Sequence, residues 1–439
     1  MSTLSYKPLR KSVELTHITD EEIIWKLKNR EISREYLQKN RRDSVTITES
    51  PGGCTIVPEA RGRIADILFT VPAHYDQKKP GLVIDPLDEK HFTTLIGHLS
   101  AERRHYTILC HASQVDQIKG WFRERNISEE DVLIGISVFN FSIWAQDAYV
   151  ALNNKKGEIM LSESICFTRD HDMSVADDLS LQTEIRAQQS HLYFQGGNIL
   201  ETEKYVLVGM DYIRENEGRP FLEDQEAVCV EFEKLFGKKI LPVGRTSLIP
   251  HRHRQYLGGG VFQPVFHIDM YITPTGLISG GKELLLVGSP RLARDILGEE
   301  QSENDFDVYF DEVADALSGE YEVKRMPLLP TQYKSREAVF PRHYYLSYNN
   351  VLVENYQDGQ QTVMRNVYLP TYRDQVKTFV DEYYLDAYYG SEARYARLDA
   401  GAKKIWEDLG FKVFEMDALE DLAMSWGSVH CMVKTLKRE

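Results

Sequence analysis

"YTILCHASQVDQIKGWFRERNISEEDVLIGISVF", residues 106–139, holds the pattern that decides the fold. A short β-rich run comes first, then an amphipathic helical stretch, then a second β-rich run. The rhythm recurs. Residues 204–215, "KYVLVGMDYIRE", with 225–244, "QEAVCVEFEKLFGKKILPVG", make a second unit. Residues 267–288 lead through "SPRLARDILG" to "YEVKRMPLL" at 321–329 as a third. "YYLSYNNVLVE" (344–354), "VYLPTY" (367–372) and 393–416 make a fourth. The units share pattern without sequence identity. Strand pairs alternating with helices define an α/β architecture of related modules. Periodicity alone leaves open whether the sheets form an open array or a closed ring.

Residues 1–60 stand apart. Thr19 with Glu22 forms a capping box ahead of Ile23, Trp25, Leu27 and Ile32. This predicts an N-terminal helical extension over 1–60, with "ESPGGC" as its boundary and a catalytic domain over 61–439.

The 439 residues carry a net charge of −15, which argues against nucleic acid as a partner, since that binding needs clustered Lys and Arg. No apolar run is long enough to cross a bilayer, and "MSTLSYKPLRKSVEL" lacks a signal-peptide core. The expectation is a cytoplasmic protein without membrane partners; export by another route leaves no mark here. Five widely spaced cysteines with no CxxC pair suit a reducing compartment.

Four stretches carry candidate chemistry. In "FSIWAQDAYVAL" (141–152) Asp147 stands between Trp144 and Tyr149, where a desolvated carboxylate needs a cationic partner. A turn Asp at a strand start is the competing reading. In "YFQGGNILETEKYVLVG" (193–209) Gly196 and Gly197 permit unusual backbone geometry ahead of Asn198; a hairpin turn is the alternative. In "GGGVFQPVFHIDMYITP" (258–274) His267 and Asp269 are two apart, so on a strand they share a face. A buried pair, a site, or part of a metal site would each explain them, although two ligands are too few to define a metal. "PHRHRQ" (250–255) reads equally as a substrate-contacting or a solvated loop. In "GSVHCM" (427–432) small residues lead to Cys431. A nucleophilic thiol needs exposure and a separate acid/base. His430 is a poor candidate, because neighbouring side chains on an extended segment point apart.

One Cys, one His, two carboxylates and an Asn in a glycine loop are consistent with a cationic substrate. Without one, the carboxylates would disfavour the thiolate. A guanidinium offers five N–H donors that carboxylates accept in pairs.

These motifs resemble the guanidino-group modifying enzymes of the pentein superfamily. "GSVHC", "HID" and "WAQD" stand in the family's order; "FQGGN" is similar to the EGGN of agmatine deiminases, "IWAQD" to the WMQD of protein-arginine deiminases, and "FHIDMYI" to glycine amidinotransferases. The resemblance covers about 61–439. It implies a five-bladed α/β propeller with the site on its axis, and a Cys-dependent deiminase that turns a free, agmatine-like or peptidyl arginine guanidinium into a ureido group and ammonia. It assigns Cys431 as nucleophile, Asp147 and Asp269 as grips on the guanidinium, and His267 as acid and base. It places Asn198, Gln195, Trp144 and Gly197 around the substrate. This chain departs at Gln146 (Arg in agmatine deiminases), Gln195 (Glu), Ala148 (Gly or Glu) and Val433 (Thr), which bears on substrate choice.

Amidinotransfer to an amine and a non-catalytic binding module are the alternatives. A cysteine protease would leave the paired carboxylates without a role, and no oxyanion-hole signature is present. Vertebrate protein-arginine deiminases need calcium, yet "DFDVYFDEVADAL" (305–317) lacks an EF-hand's central Gly. The expectation is no metal and no cofactor. Residues 1–60 are expected to serve docking or recognition. Acid/base catalysis requires Asp147, His267, Asp269 and Cys431 within about 10 Å of one another.

Overall fold

Residues 106–139 fold as their pattern requires: strand His105–His111, helix Val115–Arg123 and strand Val132–Ser137. The helix turns Ile118, Trp121 and Phe122 inward, and the two strands pair in parallel from Tyr106 opposite Val132 to His111 opposite Ser137. A parallel pair needs a crossover of this length, so the helix is a consequence of the pairing. The structure, a computed structural model, describes residues 53–75, 82–169, 171–219, 222–252, 260–301, 305–333, 342–373, 392–417 and 419–439.

The described chain is a mixed α/β fold with five sheets of three or four strands, plus a two-stranded ribbon. One plan repeats. An antiparallel pair opens each sheet, and a helical connection then returns the chain to a strand parallel to the second of the pair. The opening pairs are Tyr149–Asn154 with Ile159–Glu163, Ile199–Glu201 with Val206–Gly209, Ile272–Ser279 with Lys282–Ser289, and Leu352–Gln357 with Val363–Pro370. The parallel strands that follow are Arg186–Gln189, Ile240–Val243, Glu322–Tyr333 and Lys412–Met416.

The fifth sheet joins the two ends of the described chain. Val433–Arg438 pairs antiparallel with Ile64–Thr70, which runs parallel to His105–His111. Helix Pro86–Leu99 makes that crossover. Asp85 caps it by accepting from the Leu87 N–H at 2.8 Å, and Phe92, Leu95, Ile96 and Leu99 form its buried stripe. Of the four units the sequence pattern displayed, residues 106–139 belong to this sheet, and the sheet it did not display is that of Tyr149–Asn154, Ile159–Glu163 and Arg186–Gln189.

Residues 1–52 of the expected helical extension lie outside the described residues. Its last part is not helical: Cys54–Ile56 is a strand paired with Tyr149–Asn154, so these residues belong to the first sheet. His253 and Arg254 of the "PHRHRQ" loop also lie outside. Residues of "DFDVYFDEVADAL" form helix Val308–Ser318. Among the described residues no helix is long and apolar enough to cross a membrane, and no group of three or more His, Cys, Asp or Glu could hold a metal ion.

Candidate active site

The site is built from one equivalent position in each sheet. In the turn just ahead of the first strand of the opening pair stand Asp147, Gly197 with Asn198, Asp269, Asn350 and Cys431. Hydrogen bonds link these turns in a closed ring. Gln146 N–H donates to Cys431 O at 3.2 Å, Gly196 N–H to Asp147 O at 2.8 Å, and Ile268 N–H to Asn198 Oδ1 at 2.9 Å. Ser347 Oγ donates to Met270 O at 2.6 Å, and His430 N–H to Asn350 O at 3.4 Å. Repetition of one module thus brings residues nearly 300 positions apart to one place.

The four expected core residues meet there. A Cβ added at Gly197 would stand 2.6 Å from His267 Nδ1, 3.1 Å from Asp269 Oδ2 and 3.2 Å from Asp147 Oδ1. Cys431 Sγ is 3.4 Å from Asp269 Oδ2. These distances keep the four side chains within about 10 Å of one another, a separation that acid/base chemistry would require.

Two expectations about local structure are corrected. His267 and Asp269 do not lie on a strand. Ile268–Met270 is a 3-10 turn with His267 at its N-cap, and the strand begins at Ile272. The turn still aims both side chains at Gly197. Nor do Gly196 and Gly197 serve unusual dihedrals, since neither has a positive φ. They serve close approach: a Cβ on Gly196 would stand 1.9 Å from Gln146 O. Asp147 satisfies both of its readings, being a turn residue and a member of the site.

Burial shapes the electrostatics. Cys431 is only 2% exposed, against the expectation of an accessible thiol. Burial pushes its pKa well up, and the Asp269 and Asp147 charges push the same way; bonds from the Ser428 region and Asn350 oppose them. Asn350 Nδ2 donates to Cys431 Sγ at 3.1 Å, and Asn350 Oδ1 accepts from the Cys431 N–H at 3.2 Å. Burial lowers the His267 pKa, against the pull of Asp147 and Asp269. His267 Nε2 meets Gln195 Oε1 at 2.8 Å. That acceptor places the proton of the neutral ring on Nε2 and leaves a lone pair on Nδ1, which is buried without a hydrogen-bond partner and faces Asp147 Oδ1 at 3.8 Å. Gln195 thus fixes the tautomer of His267.

Asn198 works from behind. Its Oδ1 accepts from Ile268 N–H and Gln263 Nε2 and so braces the 267–270 turn. Trp144 lies against Gly427, where a Cβ would come within 2.3 Å of its ring. Phe266 stacks on His267 with centroids 4.1 Å apart, and Trp426 packs on Phe266.

The sequence reading missed four participants. Asn350 could have been found as a polar pair with Asn349 inside an apolar strand run. His430, read there as unsuited by its adjacency to Cys431, sits in a turn and bonds Asp269 Oδ2 at 2.8 Å and Glu59 Oε2 at 3.0 Å. Glu59 fell outside the expected catalytic domain. Arg169, which donates to Asp147 Oδ2 at 2.9 Å, carried no local signal.

Asp147 Oδ1 and Asp269 Oδ1 are buried and have no hydrogen-bond partner among the described residues. Bare carboxylate oxygens beside a thiol are costly unless a cation with N–H donors binds between them.

No protein-family profile matches the chain, and no curated protein is similar in sequence. Solved structures are similar in fold. A structural-genomics protein described as an agmatine deiminase shares 17% identity at a TM-score of 0.60, over 89% of this chain and 97% of its own. The agmatine deiminase of C. jejuni shares 14% at 0.56, over 88% and 97%, and that of Enterococcus faecalis 13% at 0.56, over 90% and 99%. The chain therefore has the mixed α/β fold of guanidine-modifying enzymes that its motifs resemble.

Proposed function

We propose that this chain hydrolyses an arginine-like guanidinium, free, agmatine-like or peptidyl, to a ureido group and ammonia. The five sheets form a five-bladed propeller in this reading, with the site on its axis; the closed ring of turn-to-turn hydrogen bonds supports that arrangement. The observation that carries the reading is the pair of bare, buried oxygens, Asp147 Oδ1 and Asp269 Oδ1, beside Cys431. A planar cation with N–H donors on both edges supplies both the donors and the positive charge that these oxygens lack.

The chemistry follows from charge. A bound guanidinium offsets the two carboxylates that hold the Cys431 thiol protonated, so the proton passes to His267 as substrate arrives. The thiolate forms a bond to the guanidinium carbon. The departing amine takes the proton from His267, the C–N bond breaks, ammonia leaves, and a thiouronium ester remains on Cys431. His267 then removes a proton from water. The hydroxide adds to the same carbon, the C–S bond breaks, the added hydroxyl gives up its proton to solvent as the C=O forms, and the ureido product leaves with the thiolate and protonated His267 restored.

The test is a colorimetric ureido assay with free arginine, agmatine, methylated arginines and arginine peptides. Wild-type protein is expected to form product from at least one, and Cys431→Ala from none. Full activity in Cys431→Ala would end the assignment. Adding glycine or another amine separates amidinotransfer, which yields a new guanidine in place of the ureido product.

A further inference from the structure

Behind each guanidinium-gripping carboxylate stands a cation, and behind each cation stands a second carboxylate. Arg169 donates through Nη2 to Asp147 Oδ2 and through Nε to Asp172 Oδ2 at 2.5 Å. His430 bridges Asp269 Oδ2 and Glu59 Oε2 through its two ring nitrogens. In both cases the cation takes Oδ2 and leaves Oδ1 bare. The two relays come from unrelated segments, so local sequence does not explain their common plan. Phe167, under the Arg169 guanidinium at 4.8 Å, further fixes the first.

We infer that Glu59 and His430 form a positioning relay for Asp269: Glu59 keeps His430 doubly protonated, and His430 holds Oδ2 and so fixes the orientation of the carboxylate beside Cys431. The inference rests on the deiminase reading for its link to catalysis. An imidazole with a carboxylate oxygen on each nitrogen has two donors to supply, which only the imidazolium does. His430 is 6% exposed, so water does not substitute for either partner. The charged and titratable groups acting on this relay are Asp269 and Glu59 directly, Lys434 and Arg438 of the last strand on Glu59, Lys434 also on Asp269, His267 on both His430 and Asp269, and the Cys431 thiol on Asp269. Gln146 Nε2 lies 3.4 Å from His430 Nε2 and adds no charge. Arg169 is cationic at every working pH, whereas His430 is not. The Asp269 grip is therefore the one that fails in alkali.

The experiment compares Glu59→Gln, Glu59→Asp and Asp269→Asn with the full wild-type chain by NMR of isotope-labelled histidine and by kinetics. Glu59→Gln is expected to lower the His430 titration midpoint by at least one pH unit. It should move the alkaline limb of kcat/KM down by the same interval and reduce kcat/KM at the optimum about tenfold, with Glu59→Asp restoring most of both. A His430 midpoint unchanged in Glu59→Gln would overturn the relay, as would a wild-type pH profile in that variant. If no guanidine is turned over by wild-type protein, the deiminase reading fails by itself. The NMR arm still decides the relay, because Glu59→Gln and Asp269→Asn must each lower the midpoint. If Glu59→Gln does not fold, Glu59→Asp supplies the comparison, and an unmoved midpoint there counts against the relay.

Discussion

Gly197 stands where any side chain would strike His267: a Cβ there would lie 2.6 Å from Nδ1, inside van der Waals contact. Gly197→Ala must push the imidazole away from Asp147 and Asp269, in a place with no slack because His267 is buried. The expected outcome is a loss of about 100-fold in kcat/KM with little change in the melting temperature, since misplacing a reacting group by about 1 Å costs that much. Steady-state kinetics and a thermal melt check it. Wild-type activity would mean that Nδ1 does not face the reacting atoms.

The thiol should distinguish reagents by charge. Cys431 is held protonated first by burial and then by Asp269 and Asp147. At neutral pH iodoacetamide, a neutral reagent, should alkylate it slowly, and a cationic haloacetamidine should react at least tenfold faster. Asp269→Asn should narrow the gap from both sides, lowering the thiol pKa while weakening cation binding. Inactivation rates against pH measure both. Equal rates for the two reagents in wild-type protein would contradict the carboxylate grip.

Gln195 is a neutral partner for His267 Nε2. Gln195→Glu puts a negative charge beside the ring and favours the imidazolium. The His267 pKa, which burial lowers, then rises. In the proposed mechanism neutral His267 accepts the thiol proton, so the acidic limb of the kcat/KM profile should move about one unit to higher pH. An unmoved limb would show that another group accepts that proton.

Stability should fall in alkali through His430. Burial alone would lower its pKa, but Glu59 and Asp269 outweigh burial and hold it up to about 9, from an ordinary 6.5. A folded-state value above the unfolded one makes the contribution fully present below about pH 6.5 and lost as pH rises through about 9. That interval corresponds to roughly 3 kcal/mol at most. Denaturant midpoints between pH 6 and pH 10 should show the decline, and His430→Gln should flatten it. An equal slope in that variant would assign the decline to other groups.

Pattern in the sequence determined the modular α/β architecture, because the alternation of strands and amphipathic helices is a local property of burial. It also singled out Cys431, His267, Asp147 and Asp269 as candidates, since polar groups inside apolar or glycine-rich stretches stand out against their neighbours. Tertiary structure decided the rest. The fifth sheet joins Ile64–Thr70 to Val433–Arg438, and no local pattern records a pairing between opposite ends of a chain. The reason for Gly197 is a collision with three side chains from two other turns, which only their convergence creates. His430 and Arg169 carry no local mark of function. His430 bonds Asp269 and Glu59 across long stretches of chain, and Arg169 bonds Asp147 from another turn; such bonds depend on positions that only the tertiary fold establishes.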